Sequence, residues 1–204
     1  QNAKDLSFIK NKYIFDLLKR REIKSLKLFE YIGCMTKGNM KYLIKNYPFV
    51  DSDQLCFFPL WASNEIVGEV TSIDREELGF KKDDFIVVFG GSMGVPQNLS
   101  NIIKLANEVK GKTEIQFLFI GGGSDCNNIK QQTRELNLSN VTFIDRLNRI
   151  RYESVMGSCN LGLVSLHPNF TVPTLPSKTV EYLKHGLPIL ASLDHVALGD
   201  YGQF

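Results

Sequence analysis

The stretch DFIVVFGGSMGVPQNLSNIIKLANEV, Asp84–Val109, decides the fold. Phe85–Phe89 is an unbroken apolar run, too short for a helix and lacking the polar alternation of a half-exposed strand. The glycine-rich GGSMGVPQN follows, and then an amphipathic helix is expected over Leu99–Val109. The same unit recurs down the chain. Ile115–Ile120 reads as a second strand, followed by GGGSD and a helix to about Leu136. Val141–Ile144 is a third, with a helix over Arg149–Ser158, and Leu161–Leu166 is a fourth. A loop and a short helix then lead to a fifth, Ile189–Ala191. Apolar strands alternating with amphipathic helices call for a parallel sheet covered on both faces. The expected class is α/β, a doubly wound, Rossmann-like nucleotide-binding fold.

In such sheets a ligand sits outside the carboxyl ends of the strands, and three segments of this chain reach that edge. Gly90-Gly91-Ser92-Met93-Gly94 follows the first strand and Gly121-Gly122-Gly123-Ser124 the second, ahead of a helix that Ser124 or Asp125 is placed to cap. The third is VPTLPSKTVEYLKHGLPILAS, from Val172 to Ser192. Here Pro176 suits a helix start, Ser177 is a candidate cap, and Gly186 and Pro188 end the helix. Lys178 puts a cation where a phosphate would sit. Glu181 lies on the same face and is placed to accept hydrogen bonds from a ribose diol. A purely structural reading stands beside each. Glycines serve chain reversal, and Glu181 has Lys178, Lys184 and His185 as candidate ion-pair partners on a solvated face. Neither glycine segment is a dinucleotide fingerprint, and no phosphate-binding GxxxxGK[ST] occurs, so dehydrogenase and P-loop readings fail.

The 204 residues, 43% hydrophobic and 23% charged, are those of a globular protein. The cysteines at 34, 56, 126 and 159 have no metal-ligand or disulfide spacing, which fits free thiols in a reducing cytoplasm. No metal or other cofactor is expected. Asp51-Ser52-Asp53 matches a metal-binding DxD pattern but sits in a plain loop, and is read as turn chemistry. Net charge is +2 overall, yet residues 1–50 hold 11 Lys/Arg against 4 Asp/Glu. No nucleic-acid signature accompanies this basic end, so an anionic membrane surface or a phosphate-rich ligand is the better partner. Residues 4–29 read as a helix with one broad apolar stripe (Phe8, Ile9, Ile14, Phe15, Leu17, Leu18) and a basic opposite face, compatible with lying on a membrane surface and equally with packing on a further domain. Thr36 is expected to cap a helix through Tyr47, and Gln54–Pro59 reads as a strand.

The segments FIVVFGGSMGVPQNLSNIIKLA, FLFIGGGSD, NVTFIDRL, SCNLGLVSLHP and LPSKTVEYLKHGLPILAS, in this order and spacing, resemble the nucleotide-sugar-binding domain of GT-B glycosyltransferases. The resemblance is to the retaining family-four group that builds bacterial surface polysaccharides. It covers Asp84–Ser192, and more loosely residues 11–60, which look like the end of the partner domain. It implies three parts: 1–60 as a remnant of the acceptor-side domain, 61–83 as a linker, and 84–204 as a nucleotide-sugar-binding domain cut short at its C-terminus.

The resemblance also implies roles. Gly91, Ser92, Met93, Gly94 and Gln97 would approach the diphosphate and sugar, with Pro176, Ser177, Lys178 and Thr179 cradling the diphosphate. Glu181 would bind the ribose, and Gly122, Asp145, Arg146 and Leu147 would hold the base. Of the family's acidic pair, Glu181 matches the second member and Pro173 stands at the first. Gly91 or Ser92, and Gln97, stand near the family's usual arginine and lysine, and Lys178 is the candidate replacement cation and catalytic residue. The expected function is transfer of a sugar, from a UDP-linked donor, to a glycan or lipid-linked acceptor. A sugar-nucleotide epimerase of the same fold, or a donor-binding half working with a partner chain, are the alternatives. The expected location is cytoplasmic, at the inner face of the membrane.

Overall fold

The computed structural model describes Leu6, residues 9–61 and residues 73–192. The expected helix start at residues 4–8 (Leu6 apart), the stretch 62–72 and residues 193–204 lie outside the described residues. Contacts divide the chain into two compact units. Of the described residues, one comprises Leu6, 9–61 and 167–176, and the other 73–166 and 177–192.

The first unit begins with α1, Lys12–Leu26, capped by the Asn11 side chain, which accepts from the amides of Tyr13 and Ile14. A strand that the sequence reading passed over, β1 (Ile32–Cys34), follows, then α2 (Lys37–Asn46) and β2 (Leu55–Phe57). β1 pairs in parallel with β2. Thr36 caps α2 as expected, in a reciprocal box with Asn39. Asn39 also donates to the Pro173 carbonyl. The single apolar stripe expected of α1 is in fact two faces. Ile23 and Leu26 pack on the small core of Cys34, Tyr47, Val50 and Leu55. Tyr13, Ile14, Leu17 and Leu18 face outward. Asp51 and Gln54 form a capping box around a short 3₁₀ turn, which is what the DxD carboxylate of Asp51 does here.

The second unit is a five-stranded parallel sheet of β3 (Phe85–Ser92), β4 (Ile115–Gly122), β5 (Val141–Ile144), β6 (Leu161–Ser165) and β7 (Ile189–Ser192). Their order is β5-β4-β3-β6-β7. The chain winds outward from β3 to β5 on one side, then returns to β6 beside β3. The switch point therefore lies between β3 and β6. The connecting helices are α3 (Leu99–Glu108), α4 (Cys126–Glu135), α5 (Arg149–Met156) and α6 (Lys178–Lys184). Val87, Phe89, Phe117 and Phe119 of the sheet meet Leu99, Ile102, Ile103 and Ile129 of α3 and α4 in the main core. Ahead of β3, Arg75 donates to the carbonyls of Ser158, Lys82 and Asp84 and to Asn160 Oδ1, which ties residues 73–84 to the sheet's near end.

Two local expectations change. The glycine segments are not loops from their first residue. β3 and β4 stay paired through Gly91↔Gly121 and Ser92↔Gly122, so the strands run on to the edge itself. Glycine makes this close approach feasible: a Cβ on Gly121, whose φ is +126°, would lie 2.3 Å from the Gly91 carbonyl oxygen. Ser177 stands at the α6 N-cap but forms no side-chain cap bond. Its φ and ψ of −57° and −27° are already helical, whereas a capping hydroxyl needs an extended residue to point back at the first turn. Asp125 likewise makes no cap bond to α4, and its carboxylate accepts from Asn128. Gly186, at φ +65°, ends α6 as expected.

Candidate donor-binding site

β3 and β6 are in register only at Val87↔Leu161 and Val88↔Gly162, and beyond that they part. The Tyr182 hydroxyl fills the gap. It accepts from the Gly90 amide at 3.0 Å and reaches the Leu163 carbonyl at 3.2 Å. Its fully buried ring lies on Gly162, where a Cβ would come within 2.4 Å. Tyr182 thus fixes α6 at the switch point. The sequence reading passed it by because YL in a helix reads as ordinary core.

Lys178 lies one turn earlier on α6. Its ammonium sits 3.5 Å over the centre of the buried Phe89 ring and donates to Gln97 Oε1 at 3.2 Å. Burial pushes its pKa down to about 7. The cation and its amide partner, 81 residues apart in sequence, are brought together.

Glu181 does not take the partners weighed for it. Arg149, at the start of α5, grips both its oxygens, at 3.2 and 2.9 Å. Arg149 also donates to Glu153, which is fully buried and receives Lys184 Nζ at 3.0 Å. Burial alone would raise the Glu153 pKa, but the bonds from Lys184 and Arg149 outweigh it and hold the carboxyl below its ordinary range.

A cavity of about 390 Å³ opens at the carboxyl ends of β3 and β4, lined by Gly91, Ser92, Gly121, Gly122, Arg146, Leu147 and Tyr152 among others. Gly91 and Gly122 have open space where a Cβ would project, although Gly91, at φ +120°, also holds a backbone conformation that favours glycine. Gly121 and Gly123 are glycine for another reason, since their Cβ atoms would strike backbone oxygens. Gly94 lies beside the Ser92 and Ser124 hydroxyls.

The remaining expected residues are placed otherwise. Met93 is wholly buried in the core, and its carbonyl accepts from the Asp125 amide. Asp145 is almost fully exposed, 3.9 Å from Lys130. Thr179 is buried. Pro176 belongs to the first unit. Neither Lys178 nor Glu181 lines the cavity itself. Tyr152 was missed by the sequence reading. It forms the cavity wall, with its hydroxyl where a Cβ on Gly90 would be, and burial together with the Glu181 charge pushes its pKa to about 12, so it remains a hydrogen-bond donor.

This cavity and cation at the switch point invite comparison with known proteins. The profile of the family described as glycosyl transferases group 1 matches residues 70–197, more than half of the chain. The chain belongs to that family. A probable glycosyltransferase, WbjE of Pseudomonas aeruginosa, is 26% identical over 149 residues, 71% of this chain and 36% of WbjE. A putative colanic acid biosynthesis glycosyl transferase, WcaI of Escherichia coli K12, is 24% identical over 143 residues, 67% of this chain and 34% of WcaI. The chain therefore spans about a third of the length of these relatives.

Solved GT-B structures share the fold. WaaG, described as a glycosyltransferase involved in lipopolysaccharide biosynthesis, superimposes with a TM-score of 0.67 at 16% identity, over 83% of this chain and 46% of WaaG. HepE of Anabaena, solved with UDP and glucose, gives 0.66 at 14% over the same shares. One of these relatives is described as acting in colanic acid biosynthesis, and the five-stranded parallel sheet shares the Rossmann-like fold of these GT-B structures.

Proposed function

We propose that the second unit binds a nucleotide diphosphate sugar, in a glycosyltransferase that moves the sugar to a glycan or lipid-linked acceptor during surface polysaccharide synthesis. The observation that carries this reading is the pairing of the glycine-walled cavity with Lys178 at the same sheet edge. The cavity has the size and wall for a nucleoside, with Arg146, Leu147 and Gly122 about the base. Lys178 and Gln97 meet the diphosphate. Charge develops on the leaving diphosphate as the glycosidic bond to it breaks, and a cation already in place there lowers that barrier. Uridine is the proposed base, since HepE was solved with UDP. The transfer is proposed to be metal-independent and of hexosyl or N-acetylhexosaminyl type, toward O-antigen or capsule.

The outward face of α1 suits work at a cytoplasmic membrane surface. Tyr13, Leu17 and Leu18 are exposed there, with Arg21 and Lys24 on the same side. No helix among the described residues is long and apolar enough to cross a membrane.

Calorimetric titration of UDP-, GDP-, ADP- and CDP-sugars into this chain and into Glu181→Ala tests the donor half. The expected result is binding of one nucleotide class, weakened more than about tenfold by the substitution. Failure of the folded chain to bind any of them would overturn the reading.

A further inference from the structure

Glu181 and Lys178 stand on one short helix, and the cavity wall carrying Arg146, Leu147 and Tyr152 belongs to α5 and the segment before it. A single side-chain network joins these two pieces. Arg149 closes both its terminal nitrogens on Glu181, at 3.2 and 2.9 Å, and turns its Nε to Glu153. Glu153 has no exposed surface, and the Lys184 ammonium that also holds it is nearly buried. The chain is therefore Glu181–Arg149–Glu153–Lys184, running from α6 to α5 and back to α6. A lone exposed ion pair contributes little and leaves both side chains mobile. This one is anchored at its far end in the protein interior, and the fork geometry of the guanidinium fixes the plane of the carboxylate it grips.

We propose that Arg149 is a positioning residue, holding the Glu181 carboxylate in the orientation that accepts the ribose diol of the donor nucleotide, with Glu153 as its buried anchor. The inference rests on the assignment of Glu181 to the ribose. A carboxylate offers about four lone-pair sites. Arg149 takes two of them, one on each oxygen, and two remain, the number a vicinal diol requires. Without Arg149 the Glu181 side chain regains its rotamers, and the diol would have to order it on binding, which weakens recognition of the hydroxyls alone. The sequence gives no sign of this, because Arg149 and Glu181 are 32 residues apart and on different helices.

The test compares UDP with 2′,3′-dideoxy-UDP by calorimetry, in the chain as it stands and in Arg149→Gln, Arg149→Lys and Glu181→Gln. ADP, GDP and CDP, with their dideoxy counterparts, replace uridine should it not bind. The expected wild-type preference for the diol is about tenfold or more. Arg149→Gln is expected to lose most of it by weakening UDP while leaving the dideoxy nucleotide within about twofold. Arg149→Lys should keep part of it. The unchanged dideoxy affinity reports that the site is still folded. Equal weakening of both nucleotides would make Arg149 merely structural and overturn the proposal, as would an Arg149→Gln variant that keeps its diol preference. If Glu181→Gln retains the full preference, or no nucleotide of the series binds, the ribose assignment itself fails.

Discussion

Lys178 is the residue at which charge and burial conflict. A lysine whose folded pKa is about 7 against an ordinary 10.5 is destabilising while protonated. Below pH 7 both folded and unfolded chains carry the proton, and the cost of burying the ammonium is present in full. Between pH 7 and 10.5 the unfolded chain binds a proton that the folded chain lacks, so stability should rise with pH across that window. Lys178→Met should abolish that rise in denaturant midpoints measured from pH 7 to 10. A bound diphosphate favours the charged form, so binding above pH 7 must take up a proton. We expect donor affinity to fall as pH rises from 7 to 9. Titrations in two buffers of different ionisation enthalpy should show uptake of about one proton at pH 8. Heats that do not depend on the buffer would remove Lys178 from the diphosphate site. Tyr182 makes a different kind of demand. Tyr182→Phe leaves the buried Gly90 amide without its acceptor and should cost about 1–3 kcal/mol by urea unfolding.

Among the elements, the paired ends of β3 and β4 separate two uses of glycine that look alike in sequence. Gly121 is required by the backbone it touches, with a φ of +126° and the Gly91 carbonyl in the way of any Cβ. Gly122 has open space on the cavity side. Gly121→Ala should therefore lower the melting temperature, by about 1–3 kcal/mol in stability from backbone strain alone. Gly122→Ala should melt as wild type but weaken nucleotide binding. The reverse pattern would mean that the cavity is not where the nucleotide sits. Arg75 is the corresponding feature at the opposite end of the sheet. Its bonds to three carbonyls and Asn160 bring residues 73–84 into the second unit, and Arg75→Met should destabilise that unit without altering diol preference.

For the molecule as a whole, the uneven charge seen in composition takes a specific form on α1. Its inward face closes the small core of the first unit, and its outward face carries exposed Tyr13, Ile14, Leu17 and Leu18 beside basic side chains. Sedimentation with vesicles containing anionic lipid should pull the protein down, and neutral vesicles should not. Replacing Leu17 and Leu18 with serine should weaken the vesicle binding while leaving nucleotide titrations unchanged. Binding that persists after those replacements would place the contact elsewhere.

The sequence by itself determined the layered α/β fold, the order of strands and helices, and the stations at the sheet edge where glycine, lysine and glutamate stand. These follow from local quantities: runs of apolar residues, turn chemistry, and the 3.6-residue period of a helix face. It also gave the family. What the tertiary structure decided is which residues meet. The family resemblance assigned Lys178 and Gln97 to one subsite, but the hydrogen bond between them, the position of Lys178 over Phe89 and the pKa near 7 that burial imposes were not legible in the sequence. The pairing of Glu181 with Arg149, the placing of the Tyr182 hydroxyl between β3 and β6, and the role of Tyr152 as cavity wall each join residues distant in the chain. The strand pairing that runs on through Gly91 and Gly121 is the same kind of fact, because whether a glycine turns a loop or lets two backbones approach depends on what lies across from it. Such choices are made by packing, where one side chain takes the space or the hydrogen bond that another would otherwise fill, and no window of sequence contains both partners.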